Sequence, residues 1–478
     1  MKKYKYLLLF SLVGFILVSC EKELIDFTEV TNPNLSEASV IGQPNSATSW
    51  LVGVKRQMAN VSNASVTISE IASDNYVNTQ TFYNQLLDGL TIDSQDGDMS
   101  TLQFGIGRLR EMATFGIDKV APSDINITDD ILAEFNFYKG ISYLLAGEYF
   151  SFLPIEENGI PQSSNENFNL AVESFNTAIG LNNLASYKLA LARVNYNLGN
   201  KKEAVDAANE SLSLDPNLLL KIGFDQAEGP LNRMESALFE RGSFDDLQPL
   251  PSLDFLDPKY SFLSNDEDPS IALLKSEEAY FILAEAKLSD GSLSEAKEVM
   301  KKLITLISSR EVRVIDDTVE GREQDNPGSR PNKSSVKVKY LGDVIFKTGL
   351  VVDRDATVSV AIVSGTSITV NLIDGVSTID EALEMLYLMR QEVFIAEGRR
   401  IIDLGVKYVI HENEQLLNPN IDASHSGLTG VVPTFIESIK TELDDFIYNV
   451  ASGEVEIRHN LNKVLVSNKT SDLVIPFF

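Results

Sequence analysis

The sequence predicts a mainly α fold: helical hairpins stacked into a tetratricopeptide-like scaffold, with long irregular loops and a small inserted β meander. Three observations predict it. Two stretches, Ala185–Pro216 and Glu277–Ile304, carry small residues and glycines at matching offsets. Long runs elsewhere repeat apolar residues at helical spacing, and one window, 335–375, changes to the period of a strand.

In Ala185–Pro216, Leu191 and Ala192 pack in a first helix and Leu198-Gly199-Asn200 makes a turn. Ala204 and Ala208 lie four apart in a second helix, which Asp215-Pro216 ends. Small side chains let antiparallel helices approach closely, and Gly199 supplies the backbone freedom of the turn. The spacing is that of a tetratricopeptide-like unit of about 34 residues. One unit cannot bury its own apolar face, so others must stack on it. Glu277–Ile304 repeats the plan with Tyr280, Leu283-Ala284, Gly291 and Ala296. Ala171, Phe175 and Ala178 suit the second helix of a further unit, with Ile131–Leu153 as its partner, and Ile379–Leu404 supplies another amphipathic helix. The repeat helices are therefore expected over about 131–304 and 379–404.

The beginning of the chain reads as an export signal. Lys2, Lys3 and Lys5 precede an apolar run, Leu7–Val18, that is too short for a comfortable membrane span. Leu17-Val18-Ser19-Cys20 resembles a bacterial lipobox, in which the cysteine is lipidated and becomes the mature N-terminus. Cys20 is the only cysteine, so no intramolecular disulfide is available. Lipidation there anchors a protein to a membrane without spanning it. Glu21-Lys22-Glu23 resembles the short acidic tags of surface-exposed lipoproteins. The expected division is a signal over 1–19, a lipidated tether over 20–45 and a single domain over 46–478.

Along that domain, Trp50–Ile71 is expected to be helical, and Ser73-Asp74-Asn75-Tyr76 to interrupt it. Residues 74–100 form a polar loop region bearing aromatics. Asp93, Asp96 and Asp98 in it lack the spacing and the glutamate of a calcium loop and read as a solvated acidic turn. Helices resume at Leu102–Thr114 and near Thr128, whose hydroxyl is placed to cap while Asp129 and Asp130 favour the positive end of the helix dipole. Residues 217–270 are irregular and rich in Pro, Asp and Phe, hence functional or packed irregular structure. After a break at 317–334, Val358, Val360 and Ile362 alternate, Ser364-Gly365-Thr366 turns, and Ile368, Val370 and Leu372 alternate again, a β-hairpin signature joined by strands at Val336–Leu341 and Val344–Val352. Thr378 and Glu381 make a capping box opening the next helix. The apolar tail Asp472–Phe478 is expected to be covered.

Composition narrows function. Of 478 residues, 44% are hydrophobic, the mean hydropathy is −0.04 and the net charge is −29, which fits a folded body and argues against nucleic acid or anionic membrane surfaces as partners. His411, His425 and His459 have no metal spacing, no G-x-S-x-G elbow or phosphate loop is present, and with 69 acids no carboxylate pair stands out as a glycosidase dyad. No catalytic residue, metal or cofactor is nominated.

The pieces together resemble the SusD/RagB family of outer-membrane nutrient-binding lipoproteins. The resemblance rests on Cys20, on Ser73-Asp74, and on Ala133, Tyr143, Tyr149, Phe150 and Leu153-Pro154. It also rests on Leu283-Ala284-Glu285-Ala286 with Gly291, and most specifically on Arg390 through Arg400 with Asp403-Leu404. The stretch 335–375 departs from the usual plan. The resemblance implies a non-enzymatic protein that sits over a SusC-like TonB-dependent transporter and hands it oligosaccharides or peptides.

Binding sugars requires aromatic faces beside amides and carboxylates. The candidates are Trp50, Tyr76, Phe82, Tyr83, Tyr260 and Phe262, with Asp74, Asn75, Asn78 and Gln80 as polar company. Arg399 and Arg400 read as arginines pairing with the scaffold's acids, Asp403 among them. Two other readings stay open: a peptide-binding or protein-interaction scaffold in the envelope, and a lipoprotein glycosidase.

Overall fold

Nine principal helices carry the described part of the chain, which in this computed structural model comprises residues 41–78, 84–235, 237–238, 247–259, 268–316 and 330–478. They are α1 Ser46–Ile71, α2 Gly97–Phe115, α3 Asp129–Tyr149, α4 Ser164–Leu181, α5 Ala185–Asn197, α6 Lys201–Leu214, α7 Glu277–Ser289, α8 Leu293–Ser308 and α9 Ile379–Val393. The signal, Cys20 and most of the tether lie outside the described residues.

Local chemistry starts these helices where the sequence places the signals. Asp96 accepts from the Asp98 N–H at the head of α2, and Thr128 accepts from the Ile131 N–H at the head of α3. Reciprocal capping boxes open α4 (Ser163 with Glu166) and α9 (Thr378 with Glu381). The turns between α5 and α6 and between α7 and α8 pass through Gly199 and Gly291, at φ of 71° and 75°. Those values are available to glycine at little cost.

The helices pair as hairpins: α3 with α4, α5 with α6, α7 with α8, while α6 packs on α7 and α9 crosses α7. The α3–α4 pair depends on two glycines seven residues apart. A Cβ at Gly140 would lie 2.5 Å from the Phe175 ring, and one at Gly147 would lie 2.5 Å from the Phe168 ring. Two phenylalanines, also seven apart on α4, thus lie against bare backbone of α3. Helix α1 lies against α2 and α3 and is buried along most of its length.

Strands are short and clip loops together. They are β1 Tyr76–Asn78, β2 Phe152–Pro154, β3 Pro161–Ser163, β4 Leu219–Ile222, β5 Leu247–Pro249, β6 Ile271–Lys275, β7 Val312–Asp316, β8 Lys337–Tyr340, β9 Thr357–Ala361, β10 Phe446–Asn449 and β11 Glu454–Ile457. Antiparallel pairs join β1 to β5, β2 to β3, β4 to β6 and β7 to β9, while β8 lies parallel to β11, whose other neighbour is β10. The irregular stretch 217–270 is therefore tied down at both ends of its described parts.

The inserted meander is corrected. The strand Thr357–Ala361 forms, but its partner is Val312–Asp316, and Val370–Gly375 is a short helix whose N-cap, Thr369, accepts from the Leu372 N–H. The capping hydroxyl outweighs the weak alternation of Ile368, Val370 and Leu372. Val344–Val352 contributes one bridge, Lys347 to Val338. The tail is covered as expected: Val474 and Ile475 are buried, and Phe477 and Phe478 pack on the core.

Candidate functional site: a groove along the second helix

One face of α2 is built from Leu102, Ile106, Leu109 and Ala113, all fully buried. The opposite face carries Ser100, Gln103, Phe104, Gly107, Arg108 and Glu111, and it lines a groove of about 430 Å³. Leu153, Pro154, Glu156 and Glu157 form a second wall, and His411, Asn413, Glu414 and Leu417 a third. Phe104 is 67% exposed, and Leu417, at 77%, extends the apolar rim.

The walls are held by hydrogen bonds between distant segments. The His411 N–H donates to Gln103 Oε1 at 2.9 Å, and Gln103 Nε2 donates to Glu414 Oε2 at 3.4 Å. Asn418 Nδ2 donates to the Gly159 carbonyl at 2.8 Å, tying the third wall to the second. The acidic turn joins the rim: the Glu412 N–H donates to the Ser94 carbonyl, and Gln95 Nε2 to Glu412 Oε2, each at 2.8 Å. Asp96 and Asp98 in that turn both accept from Asn84. Among the described residues no group of His, Cys, Asp or Glu is placed to hold a metal ion.

At the base of the groove, Arg110 is 5% exposed. Its Nη2 donates to the Pro154 carbonyl at 2.7 Å, and its guanidinium carbon lies 5.3 Å from the centre of the Tyr143 ring. Nε and Nη1 have no protein partner among the described residues. Burial pulls the Arg110 pKa down, with Tyr143 and Glu111 opposing it. The groove thus offers an aromatic face, amides and carboxylates over a buried guanidinium.

The sequence-predicted residues fall elsewhere. Asp74 is buried, and its carboxylate accepts from Arg400 Nε at 2.6 Å and Nη2 at 2.9 Å, and from Gln391 Nε2 at 2.9 Å. Asn75, fully buried, donates to Glu70 and accepts from Gln391. Burial raises the Glu70 carboxyl to about 7, although bonds from Asn75 and Gly398 oppose it. Tyr76 is 1% exposed and pairs with Pro249, and Asn78, half-buried, pairs with Leu247. Trp50 is half-buried, donates its indole N–H to the Met112 carbonyl at 2.8 Å and packs on Phe115, so it braces α2 from behind. Asp74, Asn75 and Tyr76 are closed to an external ligand because their side chains are spent inside the frame. Gln80, Phe82, Tyr83, Tyr260 and Phe262 lie outside the described residues.

The paired arginines take the structural role expected of them, with different acids. Arg399 bonds Glu278 at 2.6 Å and Arg400 bonds Asp74, while Asp403 binds Arg390 at 2.8 Å. Sequence reading missed Phe104, Gln103, Arg108 and Glu111. A signal was present: Phe104 is out of phase with the apolar stripe Leu102, Ile106, Leu109, so a helix burying that stripe must expose it.

The tetratricopeptide repeat family matches residues 185–218 and 277–309, the two hairpins α5–α6 and α7–α8. No curated protein matches the chain in sequence. Among solved structures, a SusD superfamily protein from Parabacteroides distasonis is similar at 9% identity and TM-score 0.55, over 82% of this chain and 100% of that one. A SusD-like carbohydrate binding protein from Bacteroides vulgatus is similar at 14% identity and TM-score 0.51, over 76% and 83%. A SusD superfamily protein from Bacteroides fragilis gives 14% and 0.51 over 80% and 100%. The chain has the SusD-like fold.

Proposed function

We propose that this SusD-like chain is a cell-surface glycan-binding lipoprotein, and that the groove along α2 contacts the sugar. The observation that carries the reading is Phe104: an exposed ring in a cleft that also presents amides, carboxylates and a buried guanidinium. An apolar face takes the C–H face of a sugar ring, and Gln103, Asn413, Glu414 and Glu111 supply acceptors and donors for its hydroxyls. The acidic balance of the chain favours neutral glycans over polyanionic ones. The carbohydrate-binding relative supports this reading.

Lipidation at Cys20 holds the domain at the outer membrane by a tether, and bound oligosaccharide passes to a SusC-like TonB-dependent transporter. No helix among the described residues is long and apolar enough to cross a membrane. The protein acts by capture and does not cleave its ligand.

Affinity electrophoresis of the protein from Glu21 onward, through gels holding a panel of neutral polysaccharides, tests the reading. Retardation without release of reducing sugar is expected, and Phe104→Ala is expected to lose about tenfold in affinity. About 60 Å² of ring surface covered by a sugar is worth about 1.5 kcal/mol. Free migration in every gel, or retardation unchanged in Phe104→Ala, refutes the site, and release of reducing sugar refutes the non-enzymatic role.

A further inference from the structure

The segment Asp472–Phe478 is held mainly by its side chains. Between it and the body the only backbone hydrogen bond found among the described residues is that of the Phe477 N–H to Glu285 Oε1, at 3.3 Å. Its other bonds are local: the Val474 N–H donates to the Ser471 carbonyl and the Leu473 N–H to Ser471 Oγ, just ahead of the segment, and the Phe478 N–H donates to the Ile475 carbonyl. What holds it is side-chain burial. Val474 is 4% and Ile475 2% exposed, and the Phe477 ring meets the Tyr196 ring edge-on at 5.1 Å.

The receiving surface is shaped for backbone. Glu285, on α7, accepts from Tyr196 of α5 at 2.7 Å and Tyr387 of α9 at 3.1 Å, so three helices converge on the carboxylate that meets Phe477. Gly199 and Gly405, both at φ 71°, lie under the segment. A Cβ at Gly405 would be 2.5 Å from the Leu473 carbonyl oxygen, and one at Gly199 would be 3.4 Å from that of Pro476. The fit is nevertheless incomplete. A cavity of about 530 Å³ runs between the segment and the body, lined on the body side by Asn197, Leu198, Tyr387, Asp403 and Lys407.

Apolar anchors, few backbone bonds and residual space describe a bound peptide more than a core strand. We propose that the groove between the α5–α6 hairpin, α7 and α9 is a peptide-binding site, occupied in cis by Asp472–Phe478 and able to exchange that segment for an apolar peptide of the same kind in trans. The occupied groove leaves the repeats unavailable to other peptides while the segment is bound.

The test inserts a protease recognition site after Thr470, which is exposed, in the full chain, and cleaves it after folding. The probe is a fluorescently labelled synthetic peptide of residues 472–478, followed by anisotropy. The intact protein is expected to bind it at least a hundredfold more weakly than the cleaved protein, and a probe carrying Phe477→Ala is expected to bind the cleaved protein at least tenfold more weakly. In uncleaved full-length protein, Phe477→Ala loosens the segment, so the unsubstituted probe is expected to bind at least tenfold better than to the parent. If cleavage abolishes cooperative unfolding, excess probe must restore it. Equal binding to intact and cleaved protein, no exchange under a hundredfold excess of probe, or no restoration overturns the proposal.

Discussion

Asp74→Asn is the substitution with the most calculable consequence. It keeps the shape of the side chain and an acceptor oxygen, but it removes the charge facing Arg400. That guanidinium is 1% exposed and makes three bonds, two to Asp74 and one from Nη1 to Asn462 Oδ1 at 2.9 Å. Removing one partner of a buried pair costs about 3–5 kcal/mol, because the other charge is left uncompensated. Asp403 also attracts Arg400, which places the cost toward the lower end, about 3 kcal/mol. A loss of that size lowers the folding constant roughly 150-fold and takes a large share of a typical margin of about 5–15 kcal/mol. Urea unfolding followed by the fluorescence of Trp50, the only tryptophan, reads it directly. Pairing Asp74→Asn with Arg400→Met should be destabilised by at least about 2 kcal/mol less than the sum of the singles. A single-variant loss under about 1 kcal/mol, or strict additivity, refutes the assignment of this pair as a buried clamp.

Two further perturbations follow from packing and protonation. Gly147→Ala puts a Cβ 2.5 Å from the Phe168 ring and should cost about 1–3 kcal/mol, relieved in part by Phe168→Leu; an unchanged urea midpoint in Gly147→Ala contradicts the close-approach account. Burial raises Glu70 and Glu285 from 4.5 to about 7, so the folded state holds protons that the unfolded state has released. Stability fully present below about pH 4.5 is then lost as pH rises to 7, at about 3 kcal/mol per group. Lys275 and Lys407 are lowered from 10.5 to about 8, so their penalty is relieved between pH 8 and 10.5. Urea midpoints should therefore fall from pH 5 to pH 8, and a midpoint rising steadily over that range contradicts the buried-acid assignment.

Much of the scaffold was legible because its signals are local. Thr128, the Thr378–Glu381 capping box, and Gly199 and Gly291 each act within a few residues of their own position. Pairing at a distance was not legible. Thr357–Ala361 reads as a strand from its own alternation, but nothing in it points to Val312–Asp316 rather than to the nearer apolar run Ile368–Leu372. Asp74 failed for the same reason on a longer scale. An aspartate after a helix looks solvated until Arg400, 326 residues away, is brought onto it. Trp50 was half legible: its helix was expected, and its indole bond to Met112 was not. Phe104 could have been found, since a single aromatic two positions off the stripe Leu102, Ile106, Leu109 cannot share its face.

These placements separate the residues that make the fold from those that can choose a ligand. Arg390, Gln391, Arg399 and Arg400, within the motif most specific to the family resemblance, are all buried and bond Asp403, Asp74, Asn75 and Glu278. Gln391 and Arg400, through Asp74 and Asn75, fix the point where the chain leaves α1, while Arg390 bonds Asp403 and Arg399 ties the segment to Glu278 of α7. A motif spent in this way reports architecture and is silent about what is bound. The side chains of the α2 groove carry the reverse constraint. Phe104, Arg108, Glu111, Glu156 and Glu157 are exposed, so they can change without disturbing a packed interior. The frame can therefore persist at 9–14% identity among the SusD-like structures described above while the groove is rewritten. Ligand choice should follow these exposed positions, with Arg110 beneath them as the fixed polar floor.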